Sequence, residues 1–237
     1  MNAGGLSLRL SAIVPTLNES AEIERTLRSL RAGGVDEVVV VDGGSSDSTT
    51  VLARPLADAV LHSGGGLFEQ LNCGAAAAGG DVLLFHYADV KFPAQGGRAI
   101  VDALQRRDVV GGAFALDFMS QASHYRVIAG GANLRNRLRF GPFGDQSIFS
   151  RRTIFDELGG FRSDRFLADL EFVRRLRSHG RFALLRERVR TSVRRWERMG
   201  VARTLQHHWW LSALYLLGKR RECLRAACTA TTLRTIR

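Results

Sequence analysis

Two stretches of the sequence decide the fold: IVPTLNES at residues 13–20 and VVVVDGGSSDST at residues 38–49. Each is a run of β-branched apolar residues that ends at polar, turn-forming residues. The second run is hydrophobic without interruption, which is typical of a parallel strand buried on both faces. Between the two runs, a helical pattern opens after Asn18 and closes at Gly33. Strand, helix and strand at this spacing predict a βαβ unit with a parallel sheet.

The same alternation continues along the first half of the chain. The segments expected after the second strand are a short helix to Leu56, a strand at 57–62, an alanine-rich helix at 67–78, a strand at 81–89 and a helix that includes 100–104. We therefore predict an α/β protein with a single, mostly parallel central sheet flanked by helices.

The second half has a less regular pattern. The elements expected there are a strand at 109–118, a helix at 121–139, a short strand running into a helix at 144–152, an amphipathic helix at 167–179, a strand pair at 181–185 and 189–193, and a helix from Arg198 to Leu217 followed by a basic tail. No internal repeat and no long linker divides the chain, so 237 residues are most simply one domain.

Composition limits the class of protein. No stretch reaches the roughly 18 apolar residues of a membrane-spanning helix, and the N-terminus, with Arg9 inside its first apolar run, does not resemble a signal peptide. The three cysteines are odd in number and contain no C-x-x-C pair, which disfavours a disulfide framework or a structural zinc site. These features are typical of a reducing cytoplasm, and we expect a cytoplasmic protein.

The net charge of +11 is unevenly distributed. Residues 1–150 carry 13 basic and 15 acidic side chains, and residues 151–237 carry 21 basic and 8 acidic ones. This asymmetry indicates an anionic partner, although a coding preference for arginine explains it equally well. We expect no nucleic-acid partner, because aromatic residues are not interleaved with the basic ones beyond the pair Trp209-Trp210.

Asp42 is the first candidate for ligand binding. It stands at the C-terminal end of a buried strand, where ligands bind in open α/β sheets. A carboxylate there can accept a hydrogen bond from a nucleobase or a ribose hydroxyl. The alternative is a turn in which Asp42 and Asp47 only satisfy backbone amides. Neither a G-x-G-x-x-G loop nor a P-loop is present.

IVPTLNE, followed after about twenty residues by VVVDGGSSDST, resembles the opening of the family 2 glycosyltransferases. The order and spacing of LNCGAAAAGGDVLLFHYAD, GPFGDQSIFSRR, LADLEFVRRLRSHGR and TSVRRWERMG are similar to a bacterial subgroup of transferases associated with radical-SAM and selenodomain gene clusters. The resemblance extends over residues 10–205. It implies the GT-A nucleotide-diphospho-sugar transferase fold over residues 1–205, with a basic helix and tail at 206–237 that belongs to the same domain or is peripheral.

The resemblance also implies an activity and a donor site. The activity is inverting, metal-dependent transfer of a sugar from a nucleotide-diphosphate donor to an unknown hydroxyl acceptor. Asp42 would contact the base or ribose, with Pro15, Leu17 and Glu19 forming the other wall of the pocket. Asp89 matches the last carboxylate of the D-x-D motif, which holds Mg²⁺ or Mn²⁺ against the donor diphosphate.

Two positions depart from the family pattern. Tyr87-Ala88-Asp89 replaces D-x-D, so one metal-binding carboxylate remains there. Asp169 matches the Asp of a Glu-Asp pair that removes the acceptor proton, but Ala168 stands in place of the Glu. Without the resemblance, Asp169 would be interpreted as a helix-capping residue.

The acceptor side and the diphosphate clamp complete the expected site. Asp145 and Gln146 match a segment that lines the acceptor cleft, although a β-turn with a polar edge explains them equally well. SVRRW at residues 192–196 is similar to the Q-x-x-R-W element of processive synthases. It implies that Arg195, or its neighbour Arg194, contacts the diphosphate and that Trp196 contacts the acceptor.

Two alternative functions stay open. A nucleotidyltransferase would share the fold and metal, but the loop PTLNES is acidic and does not suit a triphosphate. A non-catalytic sugar-nucleotide-binding protein is consistent with Tyr87 and Ala168.

The contacts of the C-terminal segment also stay open. Eight basic residues and one acid surround WWLSALYLL between Arg198 and Arg237, so this segment could contact an anionic membrane peripherally, or pack on the sheet or on a second subunit.

Overall fold

The computed structural model describes residues 8–138, 140–162, 167–201 and 203–206, with the backbone alone at Arg195. These residues form two compact units, one within 8–192 and a second that comprises Leu167 and the segment from Val193 onward. None of the described helices is long and apolar enough to cross a membrane. The basic helix and tail expected beyond residue 206 lie outside the described residues.

The first unit alternates strands and helices. Its elements are β1 (Leu10–Thr16), α1 (Ile23–Ala32), β2 (Glu37–Asp42), α2 (Thr49–Ala53), β3 (Ala59–His62), α3 (Leu67–Ala77), β4 (Val82–Phe85), β5 (Val90–Lys91), α4 (Gly96–Leu104), β6 (Val109–Phe118), α5 (Ser123–Arg137), a 3-10 turn (Gly144–Gln146), β7 (Ile148–Arg151), α6 (Arg152–Glu157), α7 (Ala168–His179) and β8 (Arg181–Thr191). The second unit contains α8 (Arg194–Met199).

The eight strands form one sheet in the order β3-β2-β1-β4-β7-β6-β8-β5. The pairs β1–β2, β1–β4, β2–β3 and β6–β8 are parallel, whereas β7 and β5 run antiparallel to their neighbours. The α/β prediction with a mostly parallel sheet is therefore confirmed.

The uninterrupted hydrophobicity of β2 follows from its position in the sheet. Val38 and Val40 contribute to the core on one face, and Val39 and Val41 to the core on the other. Successive side chains on a strand point to opposite faces, so a strand covered on both sides must be apolar at every position. α1 and α4 cover one face, and α3, α6 and α7 cover the other.

The expected strand pair near the end of the first unit is wrong. Residues 181–191 form the single strand β8, which lies parallel to β6. Ala113 pairs with Leu184 and Ala115 with Arg188, so the one residue of β6 between these pairs faces three residues of β8 across a bulge. The polar residues inside this bulge interrupt the apolar run, which makes one strand look like two in the sequence.

β6 extends past the end of β7, and side-chain amides bind its exposed edge. Asn133 of α5 accepts a hydrogen bond from the Leu116 amide (2.8 Å) and donates one to the Leu116 carbonyl oxygen (2.9 Å). Gln146 donates to the carbonyl oxygen of Phe114 (3.0 Å). These contacts satisfy backbone groups that would lack a strand partner, and they attach α5 and the 3-10 turn to the sheet.

Candidate functional site

Parallel strands bring several polar groups to one edge of the sheet. Thr16, at the end of β1, lies beside Asp42 at the end of β2, and Asp42 lies beside His62 at the end of β3. This is the carboxyl edge of the strands, where open α/β sheets bind ligands. The structure therefore places Asp42 at the edge that the sequence predicts.

The loops after β1 and β2 are bound to each other. Asn18 has φ of 54°, in the left-handed region, its amide donates to the Ser45 hydroxyl (2.9 Å), and its side-chain oxygen accepts from the Ser46 amide (2.9 Å). The Ser20 amide donates to Asp47 (3.1 Å). The two loops thus form one hydrogen-bonded surface at the end of the sheet.

Asp42 is buried and bound by its own turn. One carboxylate oxygen accepts from the amides of Gly44 (3.0 Å) and Ser45 (2.9 Å), and the other accepts from the Ser45 hydroxyl (2.5 Å). Burial raises the pKa of Asp42, but these hydrogen bonds and a weaker one from Thr16 outweigh it and hold the pKa below its usual value. Asp42 is therefore a fixed anion, and its contact with a nucleotide stays a prediction.

The other three residues of the expected donor wall differ in exposure. Pro15 is buried in β1, Leu17 is 54% exposed, and Glu19 is half-buried with its amide bonded to the Thr49 hydroxyl (2.8 Å). Leu17 consequently offers an apolar surface on the loop that is bonded to the Asp42 turn.

Buried side chains of α1 and of the residue that follows β4 form hydrogen bonds with the backbone of the turn that carries Asp89. The buried hydroxyl of Thr26 in α1 donates to the carbonyl oxygen of Ala88 (2.7 Å). His86 lies 2.8 Å from the carbonyl oxygen of Val90 and 2.7 Å from the Ser147 hydroxyl. Because a carbonyl only accepts, Nε2 of His86 donates to Val90 and Nδ1 accepts from Ser147. Burial lowers the pKa of His86 to about 4, so the ring stays neutral.

The Asp89 side chain itself is half-buried, and no described residue forms a hydrogen bond or an ion pair with its carboxylate. The described residues also contain no group of three or more His, Cys, Asp or Glu able to hold a metal ion. One carboxylate suits a cation such as Mg²⁺ whose remaining ligands are phosphate oxygens and water. The residues present therefore fit a metal ion that arrives with a diphosphate.

Asp169 is the second residue of α7 and is 8% exposed. One carboxylate oxygen accepts from the amide of Gly144 (2.9 Å), and the other accepts from the amide of Leu170 (2.8 Å). Each oxygen keeps a second lone pair. Burial raises the pKa of Asp169, and these amides together with nearby Arg135 offset only part of that effect.

Gly144 connects Asp169 to the Asp89 turn. A Cβ atom at position 144 would lie 2.1 Å from the Tyr87 hydroxyl oxygen, which is far inside contact distance. Only glycine allows this approach, and the same residue donates its amide to Asp169. The contact between Tyr87 and the 3-10 turn thus connects Asp169, the candidate base, with the turn that carries Asp89, the candidate metal ligand.

Glu171 is already engaged. It forms an ion pair with Arg175 (2.9 Å), and Arg175 also donates to the carbonyl oxygens of Leu158 and Gly160 after α6. Removing Glu171 would therefore disturb packing of α6 on α7. Of the two acidic residues in LADLEF, Asp169 is the one that faces the 3-10 turn.

The sequence did not single out Arg135 or His86. The guanidinium carbon of Arg135, in α5, lies 4.1 Å from the ring centroid of Phe143. Burial lowers the pKa of Arg135, while the charges of Asp145 and Asp169 act in the opposite direction. A polar helix with several arginines gives no indication of which one faces the carboxylates, so only the structure identifies it.

The remaining expected residues are Asp145 and Gln146 in the first unit and Arg195 and Trp196 in the second. Gln146 has no exposed surface, and its amide bonds to Asn136 (3.0 Å) and to Phe114, so we assign it to holding the turn rather than to touching an acceptor. Asp145 stands beside it in the same turn and near Arg135. Trp196 lies buried in α8, and of Arg195 only the backbone is described.

Comparison with known proteins gives consistent matches. The family model "Glycosyl transferase family 2" matches residues 11–166. PGL/p-HBAD biosynthesis glycosyltransferases of Mycobacterium tuberculosis and Mycobacterium bovis are 33% identical over 177 residues, which is 68% of this chain and 67% of theirs. Glucosyl-3-phosphoglycerate synthase of Mycobacterium tuberculosis is 33% identical over 98 residues, 35% of this chain and 30% of that protein.

Two solved structures share the fold. A mannosyltransferase of Pyrobaculum calidifontis in complex with GDP-Man and Mn²⁺ superimposes with a TM-score of 0.62 at 20% identity, over 87% of this chain and 61% of that one. Glucosyl-3-phosphoglycerate synthase with Mn²⁺, UDP and phosphoglyceric acid gives 0.56 at 20% identity, over 77% and 69%. The GT-A fold expected from the sequence is confirmed.

The contact between Gly144 and Tyr87 can be tested by Gly144→Ala. The added methyl group overlaps the tyrosine ring, and we expect a loss of about 1–3 kcal/mol in the free energy of unfolding. In a Tyr87→Ala background the same change should cost much less, because the overlap is gone. Urea unfolding of the four variants of this cycle measures the coupling.

The matched control is Gly131→Ala in α5, where a Cβ atom would meet nothing within 4 Å. That change should stabilise the protein by roughly 0.5–1 kcal/mol. An equal cost of Gly144→Ala in both backgrounds would show that Tyr87 does not contact the turn.

The raised pKa of Asp169 predicts a pH-dependent stability effect. A carboxyl whose folded-state pKa is raised contributes stability below its unfolded pKa, and that stability is lost as pH rises through the folded value. Asn can accept from only one of the two backbone amides that Asp169 binds, so Asp169→Asn should lower Tm. The loss should be largest near pH 4 and smaller at pH 8, because the wild-type protein alone loses stability as Asp169 ionises. Thermal melts across this range measure it. Glu171→Gln is the control and should lower Tm at pH 8; a loss from Asp169→Asn that is as large at pH 8 as at pH 4 would contradict the assignment.

Proposed function

The chain belongs to glycosyl transferase family 2, and from that premise we propose that it transfers a sugar from a nucleotide-diphosphate donor to a hydroxyl acceptor with inversion of the anomeric carbon. The glycosyltransferase class follows from the family; the inversion, the metal and the residue roles are the proposal. The transferase domain would span residues 1–205, with 206–237 as its basic C-terminal extension.

One observation carries the proposal. The buried carboxylate of Asp169 accepts from Gly144, and Gly144 touches Tyr87, two residues from Asp89, whose carboxylate has no partner among the described residues. A base of raised pKa and an available oxygen ligand are thus joined in one structural unit. Family 2 transfer requires both chemistries, one at the acceptor and one at the leaving diphosphate.

The donor half of the site would bind the nucleotide. Leu17 presents apolar surface to the base, with Pro15 and Glu19 completing the wall, and Asp42 accepts from the base or ribose. Asp89 would supply the protein ligand to Mg²⁺ or Mn²⁺. The metal ion, when bound, offsets the negative charge that develops on the departing diphosphate.

The acceptor half would carry out proton transfer. The acceptor oxygen attacks the anomeric carbon from the face opposite the diphosphate, its proton passes to Asp169, and the bond to the diphosphate breaks, which inverts the anomeric carbon. The raised pKa of Asp169 makes it a stronger base than an ordinary aspartate. Asp145 would orient the acceptor hydroxyls, and the Arg135 guanidinium would keep Asp169 ionised.

Two further contacts come from the basic segment after β8. We keep Arg195 as the contact to the diphosphate, because guanidinium geometry matches phosphate oxygens, and Trp196 as an aromatic contact to the acceptor. We further propose that the chain beyond residue 206 meets an anionic membrane surface peripherally. A cytoplasmic enzyme would then work near a membrane-proximal acceptor.

Membership of the family does not identify the donor or the acceptor. This chain spans 67% of the length of its mycobacterial relatives and 61% of the mannosyltransferase chain, so the substrates of those proteins are not assigned to it. We propose the radical-SAM-associated subgroup as its nearest functional group. A non-catalytic nucleotide-sugar binder is the second candidate, favoured by Tyr87 and Ala168 standing where the family has carboxylates.

Donor binding should respond differently to two aspartate variants. Asp42→Ala and Asp89→Ala should both weaken binding of a nucleotide sugar, and only Asp89→Ala should remove the dependence on Mn²⁺. Calorimetric titration with UDP-, GDP-, ADP- and dTDP-sugars, with and without Mn²⁺, measures this. Asp102→Ala, an exposed carboxylate of α4, is the control. Unchanged metal dependence in Asp89→Ala would show that Asp89 is not the ligand.

Asp169→Asn should abolish turnover of the sugar nucleotide. The Kd for the donor should change by no more than about threefold, which is less than about 1.4 kcal/mol in binding free energy. The amide keeps the shape of the side chain but cannot take a proton. Release of nucleoside diphosphate, including slow hydrolysis, reports turnover. Wild-type rates in Asp169→Asn would exclude the base role, and a wild-type protein without turnover on any donor would support the non-catalytic binder.

A further inference from the structure

A pocket of about 880 Å³ lies between α5 and the strand pair β6–β8. Five residues of α5 line it: Gly130, Asn133, Leu134, Asn136 and Arg137. All but Asn136 lie on one helix face, at spacings of three and four. Arg135, which lies near Asp169, is two residues from Arg137 and points about 200° away around the helix. Arg137 and Arg135 are therefore on different sides of α5.

Three arginines line this pocket: Arg137, Arg186 and Arg188. All three residues are exposed, and none forms a hydrogen bond or an ion pair with another described residue. In the part of the chain that the structure describes, no Asp or Glu lines the pocket. By contrast, Arg190 on the same strand is paired with Asp117 (3.4 Å). No acidic side chain among the described residues therefore neutralises the positive charge of the pocket.

The same pocket contains apolar surface. Leu134 and Leu184 are among the exposed large hydrophobic residues, and Leu185 lines the wall beside them. The bulge of β8 between Leu184 and Arg188 explains why leucines and arginines meet there, since bulges redirect side chains out of the regular alternation. An apolar wall next to unpaired guanidinium groups matches a ligand with a hydrocarbon part and an anionic head.

We propose that this pocket binds a phosphate-bearing amphiphile, with its phosphate at Arg137, Arg186 and Arg188 and the start of its hydrocarbon chain against the three leucines. Guanidinium groups match phosphate oxygens in charge and geometry. The site is independent of the donor chemistry and does not require glycosyl transfer.

Calorimetric titration of the full chain at low ionic strength, with octyl phosphate, octanol and inorganic phosphate, tests this. Octyl phosphate should bind at least about tenfold more tightly than octanol or inorganic phosphate. The double variant Arg186→Gln/Arg188→Gln should lose about tenfold or more of that affinity. Leu184→Ser should weaken octyl phosphate but leave inorganic phosphate unchanged, which separates the apolar contact from the ionic one.

The matched control is Arg54→Gln/Arg107→Gln, which removes two exposed arginines that have no ion pair with a described residue and do not line the pocket. It should bind octyl phosphate as the wild type does. Equal losses in both double variants, inorganic phosphate bound as tightly as octyl phosphate, or displacement of octyl phosphate by a saturating nucleoside diphosphate would each overturn the proposal.

Discussion

The hydrogen bond from the Gly144 amide to the Asp169 carboxylate is the contact on which the candidate site depends (2.9 Å). It attaches the start of α7 to the 3-10 turn, and the turn touches Tyr87 at a distance that only glycine permits. His86 adds a second tie, because its neutral ring bonds both to Ser147 after the turn and to Val90 after Asp89. Two carboxylates far apart in sequence are thereby held by one small set of buried contacts.

Local electrostatics shifts the pKa values of the two buried candidate aspartates, Asp42 at the end of β2 and Asp169 in α7, in opposite directions. Hydrogen bonds from its own turn keep the pKa of Asp42 low despite burial, whereas burial dominates at Asp169 and raises its pKa. Pairs of carboxyl groups whose environments push their pKa values apart are typical of acid–base sites. Asp42 thus suits a permanent hydrogen-bond acceptor, and Asp169 suits a group that exchanges a proton.

The sequence predicts the first half of the fold well, because residues 38–41 of β2 are apolar without interruption, as a parallel strand covered on both faces requires. It fails at β8, where a bulge interrupts the apolar run of a single strand. Local patterns also cannot identify Arg135 or His86, since their importance comes from contacts across the fold with residues such as Asp145 and Ser147. The burial of Gln146 is not predictable from the sequence for the same reason. This polar residue of a turn is buried because it donates a hydrogen bond to the carbonyl oxygen of Phe114 on the edge of β6.

The most direct test of inverting transfer does not need the acceptor. Sugar nucleotides with an α-linked sugar hydrolyse slowly when water takes the place of the acceptor, and proton NMR at early times identifies the anomer that is released first. With the wild-type protein and the donor that binds best, we expect the β anomer first, because Asp169 would direct water to the face opposite the diphosphate. First release of the α anomer would contradict inversion and, with it, the role of Asp169 as the base.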